Sequence, residues 1–149
     1  MLAFVYPPDA GKAHEIPYGS GLVTVPIYKT VAEATKNHSQ VNTSLVYIGA
    51  DRALKGGMEA LDDSHIKVVS MITEGVPEKD AKILGRHATK LGKVFNGPSS
   101  IGIVSAGSCR LGVIGGAFDN LVLSKLYREG SFGVITKSGG LSNEIIWIC

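Results

Sequence analysis

Two spacings of apolar residues run along this chain: short β-branched runs, and longer stretches with apolar residues three and four positions apart. Leu2 to Val5 reads as a strand that Pro7-Pro8 stops. Residues 7 to 21 mix prolines, glycines and charges and read as a loop. Val23 to Ile27 reads as a short edge strand, because Pro26 has no N–H for a ladder. Thr30 to Lys36 predicts a helix with Thr30 as its N-cap. Ser44 to Ile48 predicts a strand, and Gly49-Ala50 turns the chain. Asp51 to Leu61 predicts a helix with Leu54, Met58 and Leu61 on one face.

The next unit has the clearest pattern. Ile66 to Ile72 is an apolar run of the kind buried in parallel sheets. Thr73-Glu74-Gly75 turns, Pro77 suits a first helical turn, and Glu78 and Asp80 suit the positive helix end. Ala81, Leu84, Ala88 and Leu91 carry that helix to Gly92. Val94-Phe95 starts a strand that Asn96-Gly97-Pro98 ends. Residues 97 to 120 read as irregular and glycine-rich, with apolar pieces at Ile101 to Val104 and Leu111 to Ile114. Gly133 to Thr136 predicts a strand and Ser138 to Trp147 a helix. Strand and helix alternating in this way predict an α/β fold with a Rossmann-like parallel sheet and flanking helices. In such sheets ligands bind beyond the carboxyl ends of the strands.

Composition narrows the function. The chain has 149 residues and a net charge of +2, with no Lys/Arg-rich run, so no nucleic-acid partner is expected. No apolar run reaches the ~20 residues of a membrane span, and Met1 to Pro8 lacks the form of a signal peptide. His14, His38, His65 and His87 are scattered, so no protein-bound metal is expected. Cys109 and Cys149 suggest no disulfide scaffold and fit a reducing cytoplasm. Glycine is abundant, at 19 residues, which suits tight turns and backbone set close to a ligand.

The strand-end turns supply candidate chemistry. Ile72-Thr73-Glu74-Gly75 puts a hydroxyl and a carboxylate just before a helix N-terminus, where unpaired N–H groups attract anions. Thr136 to Glu144 is a second such turn with paired glycines, and it does not fit a Walker A loop. Both are also compatible with ordinary capped turns. Arg110 and Lys12 read either as phosphate contacts or as solvated surface charges. The sequence offers no Ser-His-Asp or Cys-His arrangement.

Taken in order, Ile66-Lys67-Val68-Val69, Thr73 to Glu78, Gly97-Pro98, Phe118-Asp119-Asn120, Ser124 to Arg128 and Lys137 to Glu144 resemble the ATP-citrate lyase, citryl-CoA synthetase and succinyl-CoA ligase α-subunit family. The resemblance runs from about Phe4 to Trp147. It implies a CoA-binding domain at residues 1–129, lacking its first strand, and the first strand and helix of a flavodoxin-like ligase domain at residues 130–149. It implies CoA contacts at Lys12, Gly49, Ala50, Ile72, Thr73 and Glu74. Ser138, Gly139, Gly140 and Asn143 would face a phosphoryl group and the acyl substrate, citrate or succinate.

The family's glycine-rich CoA loop would precede Leu2, and its catalytic histidine would lie beyond Cys149. The resemblance therefore implies unpaired strand edges, a partner subunit or the rest of the ligase to complete the fold, and no catalytic residue or turnover in this chain alone. ATP and Mg would belong to the complete enzyme. Citryl-CoA or succinyl-CoA formation through a phosphohistidine and an acyl phosphate is one expectation. A non-catalytic CoA- or nucleotide-binding module is another, and a fragment that binds nothing is a third.

Overall fold

The computed structural model describes residues 1–148, and Cys149 lies outside the described residues. The chain folds as α/β around three parallel strands: β4 (Thr43–Val46), β5 (Val68–Met71) and β6 (Val94–Asn96), in the order β4-β5-β6. Helix α2 (Ala50–Asp62) joins β4 to β5, and α3 (Glu78–Lys90) joins β5 to β6. Central β5 has Val69, Ser70 and Met71 fully buried, as its apolar run predicts.

The core is Val46, Ala53, Ala60, Leu61, Ile66, Val69, Met71, Leu84 and Ala88. The two helices meet at Gly57, where an added methyl would come within 2.8 Å of both Leu84 Cδ2 and Met71 Cε. His87 Nε2 and Asp62 Oδ1, 2.6 Å apart, link the same helices at the surface. Gly92, at φ 66°, ends α3, and Lys93 N–H returns to Ala88 O at 2.9 Å.

A second three-stranded sheet holds β1 (Phe4–Val5), β2 (Ala13–Tyr18) and β3 (Gly21–Tyr28), in the order β1-β3-β2. Its β1–β3 pair is parallel and its β2–β3 pair antiparallel. Two expectations fail here. Residues 13–18 form a strand rather than a loop, and β3 is central rather than an edge. The sheet accommodates Pro26 because Ile27 N–H, one residue on, donates to Lys12 O at 2.9 Å. Ile27 O accepts from Gly11 N–H, so Ile27 faces two residues, and Gly11 at φ 88° makes the bulge. These six strands form two three-stranded sheets, with β1 and β4 each at an edge.

Helix α1 (Val31–Asn37) has its predicted cap, with Thr30 Oγ1 accepting from Glu33 N–H at 3.1 Å. Thr35 Oγ1 donates to Asp63 Oδ2 at 2.8 Å, tying α1 to the end of α2. Lys93 Nζ caps that same end through Leu61 O and Asp63 O. Burial pushes the Asp63 pKa up. Hydrogen bonds from Thr35 and the His65 N–H, with the His65 charge and the Ile66 N–H, outweigh this and hold it below 3.8.

A carboxyl depressed on folding stabilises above its unfolded pKa, and that contribution drains away as pH falls through the folded value. The urea midpoint should therefore drop between pH 7 and pH 3, and drop less in Asp63→Asn. Equal drops in the two proteins would show that Asp63 contributes nothing to acid stability.

The rest of the chain differs more from expectation. Residues 102–112 are a hairpin, β7 (Gly102–Ser105) with β8 (Cys109–Gly112), rather than irregular. A short helix, α4 (Phe118–Leu123), follows. Residues 133–136 form no strand, since no neighbour pairs with them and Ile135 is fully exposed. Helix α5 (Gly139–Ile148) forms as expected. No helix among the described residues is long and apolar enough to cross a membrane.

Candidate functional site

The parallel strands β4 and β5 end level with each other, with Val46 opposite Met71. The last rung between them is Ile72 N–H to Val46 O, at 3.0 Å. Beyond it the two chains part into α2 and α3. A cleft of about 310 Å³ opens there, lined by Tyr47, Ile48, Gly49, Ala50, Ile72, Thr73 and Glu74.

Five of the six residues expected to contact CoA therefore meet in one cleft. The α/β strand-end rule also puts Tyr47 and Ile48 there, since they directly precede Gly49, although the sequence alone did not single them out. Lys12 lies elsewhere. It is exposed and pairs with Asp9 Oδ1 at 2.6 Å, and that hydrogen bond and charge raise its pKa.

The chemistry of the cleft is mixed. Ile48, Ala50 and Ile72 give apolar walls. Gly49 N-caps α2 with no side-chain cap bond, so the helix start keeps free N–H groups. Arg52 Nη2 comes within 3.7 Å of where a Gly49 Cβ would sit, but the Asp51 carboxylate, paired with Arg52 Nε at 3.9 Å, stands closer still, so that side carries both charges. Glu74 supplies an exposed carboxylate.

A loop from β6 closes behind Thr73. Ser99 N–H donates to Thr73 O at 2.9 Å, and Ser100 N–H donates to Met71 O at 3.4 Å. Ser70 and Ser100 hydroxyls both donate to Asn96 Oδ1, which anchors this loop to buried β5.

Ser138, Gly139, Gly140 and Asn143 do not line this cleft. They start α5, where Ser138 Oγ accepts from Leu141 N–H at 3.3 Å, so the turn caps itself. Asn143 Oδ1 accepts from Gly115 N–H at 3.0 Å. The β7–β8 hairpin stands between the two groups. A Cβ on Gly139 would meet Ile101 Cγ2 at 3.0 Å, and one on Gly112 would meet Ile72 Cδ1 at 3.0 Å.

The CoA binding domain family matches residues 2–75, the stretch that carries the cleft. The chain is 32% identical over 145 residues to ATP-citrate synthase of Bos taurus, covering 97% of this chain and 13% of the relative. It is 36% identical over 128 residues to ATP-citrate synthase subunit 1 of Sordaria macrospora, covering 86% and 19%. Among solved structures, ATP citrate lyase from Methanothrix soehngenii in complex with citrate and coenzyme A superposes with a TM-score of 0.94 at 34% identity. The match covers 98% of this chain and 24% of that one. A variant of Methanosaeta concilii ATP citrate lyase in complex with (3S)-citryl-CoA matches with a TM-score of 0.93 at 35% identity, with the same coverage. The chain thus spans a quarter or less of the length of these relatives.

Proposed function

We propose that this chain is part of an ATP-citrate lyase-type protein, on the match of residues 2–75 to the CoA binding domain family and its likeness to the ATP-citrate lyases, and that the cleft beyond β4 and β5 binds CoA. The observation that carries this reading is the meeting of Gly49, Ala50, Ile72, Thr73 and Glu74 in that one cleft. Ligand pockets commonly run from about 300 to 1,000 Å³, so a volume of about 310 Å³ accommodates one arm of CoA. The apolar walls suit the pantetheine arm, from whose amide N–H groups the Glu74 carboxylate can accept hydrogen bonds. Negative phosphates suit the uncapped start of α2.

In the longer enzymes of this family, the chain's part is to hold CoA while an acyl phosphate is attacked. The phosphorylated histidine, ATP and Mg lie outside these residues under this reading, and citrate is the proposed acyl donor. Ser138, Gly139, Gly140 and Asn143 are the proposed phosphoryl-facing start of a following domain. The proposed setting is the cytoplasm, where an exposed thiol such as Cys109 stays reduced.

Titration calorimetry tests the proposal. The chain should bind CoA, and Glu74→Ala should weaken binding about 3–10-fold, the effect of one modest hydrogen bond. Absence of heat at millimolar CoA, or an unchanged Kd in Glu74→Ala, would refute the assignment of this cleft.

A further inference from the structure

We infer that Thr73 is the positioning residue of the cleft, its hydroxyl bolting the end of β5 to the end of β4 rather than binding ligand. The residue is buried, at 7% exposure. Thr73 Oγ1 donates to Ile48 O at 2.9 Å and accepts from Ile48 N–H at 3.3 Å. A hydroxyl has one proton, and here that proton is used within the protein. Both bonds lie past the last backbone rung between the strands, Ile72 N–H to Val46 O. The side chain therefore takes the place of the next rung, at the point where the chains diverge. The Thr73 carbonyl accepts from Ser99 N–H at 2.9 Å, so the same residue also gathers in the loop after β6.

The position explains what this arrangement does. Gly49 and Ala50 directly follow Ile48, and Glu74 directly follows Thr73. One wall of the cleft thus hangs from each partner of the hydroxyl bond pair, and the pair sets their separation. Loss of the hydroxyl would leave Ile48 with an unpaired N–H and C=O, free to turn toward water and carry Gly49 with them. The inference rests on the CoA reading for its functional readout and on the geometry alone for its structural one.

The test uses Thr73→Ser, which keeps the hydroxyl, and Thr73→Val, which keeps the branched shape without it. Thr73→Ala is a second hydroxyl-free variant should valine not fold. At a temperature where each protein is fully folded, Thr73→Ser should bind CoA within about 3-fold of the parent and Thr73→Val about 10-fold or more weakly. Amide exchange at Ile48 should be slow in the parent and the serine variant and fast without the hydroxyl. Valine or alanine variants with parental Kd and a protected Ile48 amide would overturn the inference, and so would a serine variant as weak as valine. A parent that binds no CoA refutes the CoA reading alone. The Ile48 amide then decides the positioning role, supporting it if protection follows the hydroxyl and overturning it if not.

Discussion

Leu84→Ala is expected to lower the folding free energy by about 2–5 kcal/mol, the range for truncating a fully buried leucine. Domains of this size hold roughly 5–15 kcal/mol in total, so the loss is a large share. Leu84 is completely buried on α3 and points at Gly57 of α2 beside Met71. The surroundings decide where in the range the cost falls. Gly57 has no side chain to move into the hole, which favours the upper half. Met71 is flexible and fills part of it.

The same geometry makes a second substitution informative. In the parent, Gly57→Ala puts a methyl 2.8 Å from Leu84 Cδ2, so a side chain must shift. In the Leu84→Ala background the contact with Leu84 is gone and the flexible Met71 Cε, the other atom within 2.8 Å, has room to give way, so the methyl occupies part of the hole, with a further gain in helix propensity of up to ~1 kcal/mol. The pair should therefore be strongly non-additive, with Gly57→Ala recovering about 1 kcal/mol or more of the loss. Urea unfolding of the four proteins measures this. Leu91→Ala, at a position 42% exposed, is the control and should cost little. Additive effects at 57 and 84 would mean that α2 and α3 do not meet as described.

The parts of the fold that could be read from sequence are those where burial imposes a period. Val69, Ser70 and Met71 bury both faces of β5, and the helical spacing in α2 and α3 follows the face each turns to it. The β2–β3 hairpin escaped because β2 is exposed almost throughout. His14, Glu15 and Pro17 show no alternation, and backbone pairing alone forms the strand. Glycines at 102 and 112 broke the pattern of β7 and β8 in the same way. Gly133 to Thr136 shows the converse: strand-forming residues without a neighbour to pair with stay out of any sheet.

The cleft was legible for a topological reason. Parallel neighbours deliver their C-terminal turns to one edge, so Gly49-Ala50 and Ile72 to Glu74 had to meet once β4 and β5 were paired. Lys12 carried no such constraint. Its position depends on a bulge and a hairpin that the pattern of apolar residues does not encode, and its charge is satisfied locally by Asp9.

Glycine-to-alanine exchange should have opposite signs at two positions, and the contrast tests how the cleft is supported. Gly97 sits at φ 112°, a conformation that side chains disfavour by roughly 1–3 kcal/mol. An added Cβ would also collide with the Met71 carbonyl oxygen, which is backbone of the central strand and cannot swing aside. Gly97→Ala should therefore cost about 2–4 kcal/mol in urea unfolding. Gly85 lies within α3 with open space around it, and Gly85→Ala should stabilise by about 0.5–1 kcal/mol through helix propensity.

The consequences for the cleft differ as well. The loop after Gly97 is sewn to Met71 and Thr73 by the Ser100 and Ser99 N–H groups, and Ile72 to Glu74 form one wall of the cleft. Displacing Met71 O moves that wall, so folded Gly97→Ala should bind CoA more weakly while Gly85→Ala binds as the parent does. Calorimetry on both variants, each at a temperature where it is fully folded, reads the difference. Parental CoA affinity in a Gly97→Ala protein that is clearly destabilised would mean that the wall at Ile72 to Glu74 holds its place without the β6 loop, leaving the hydroxyl of Thr73 as its remaining brace.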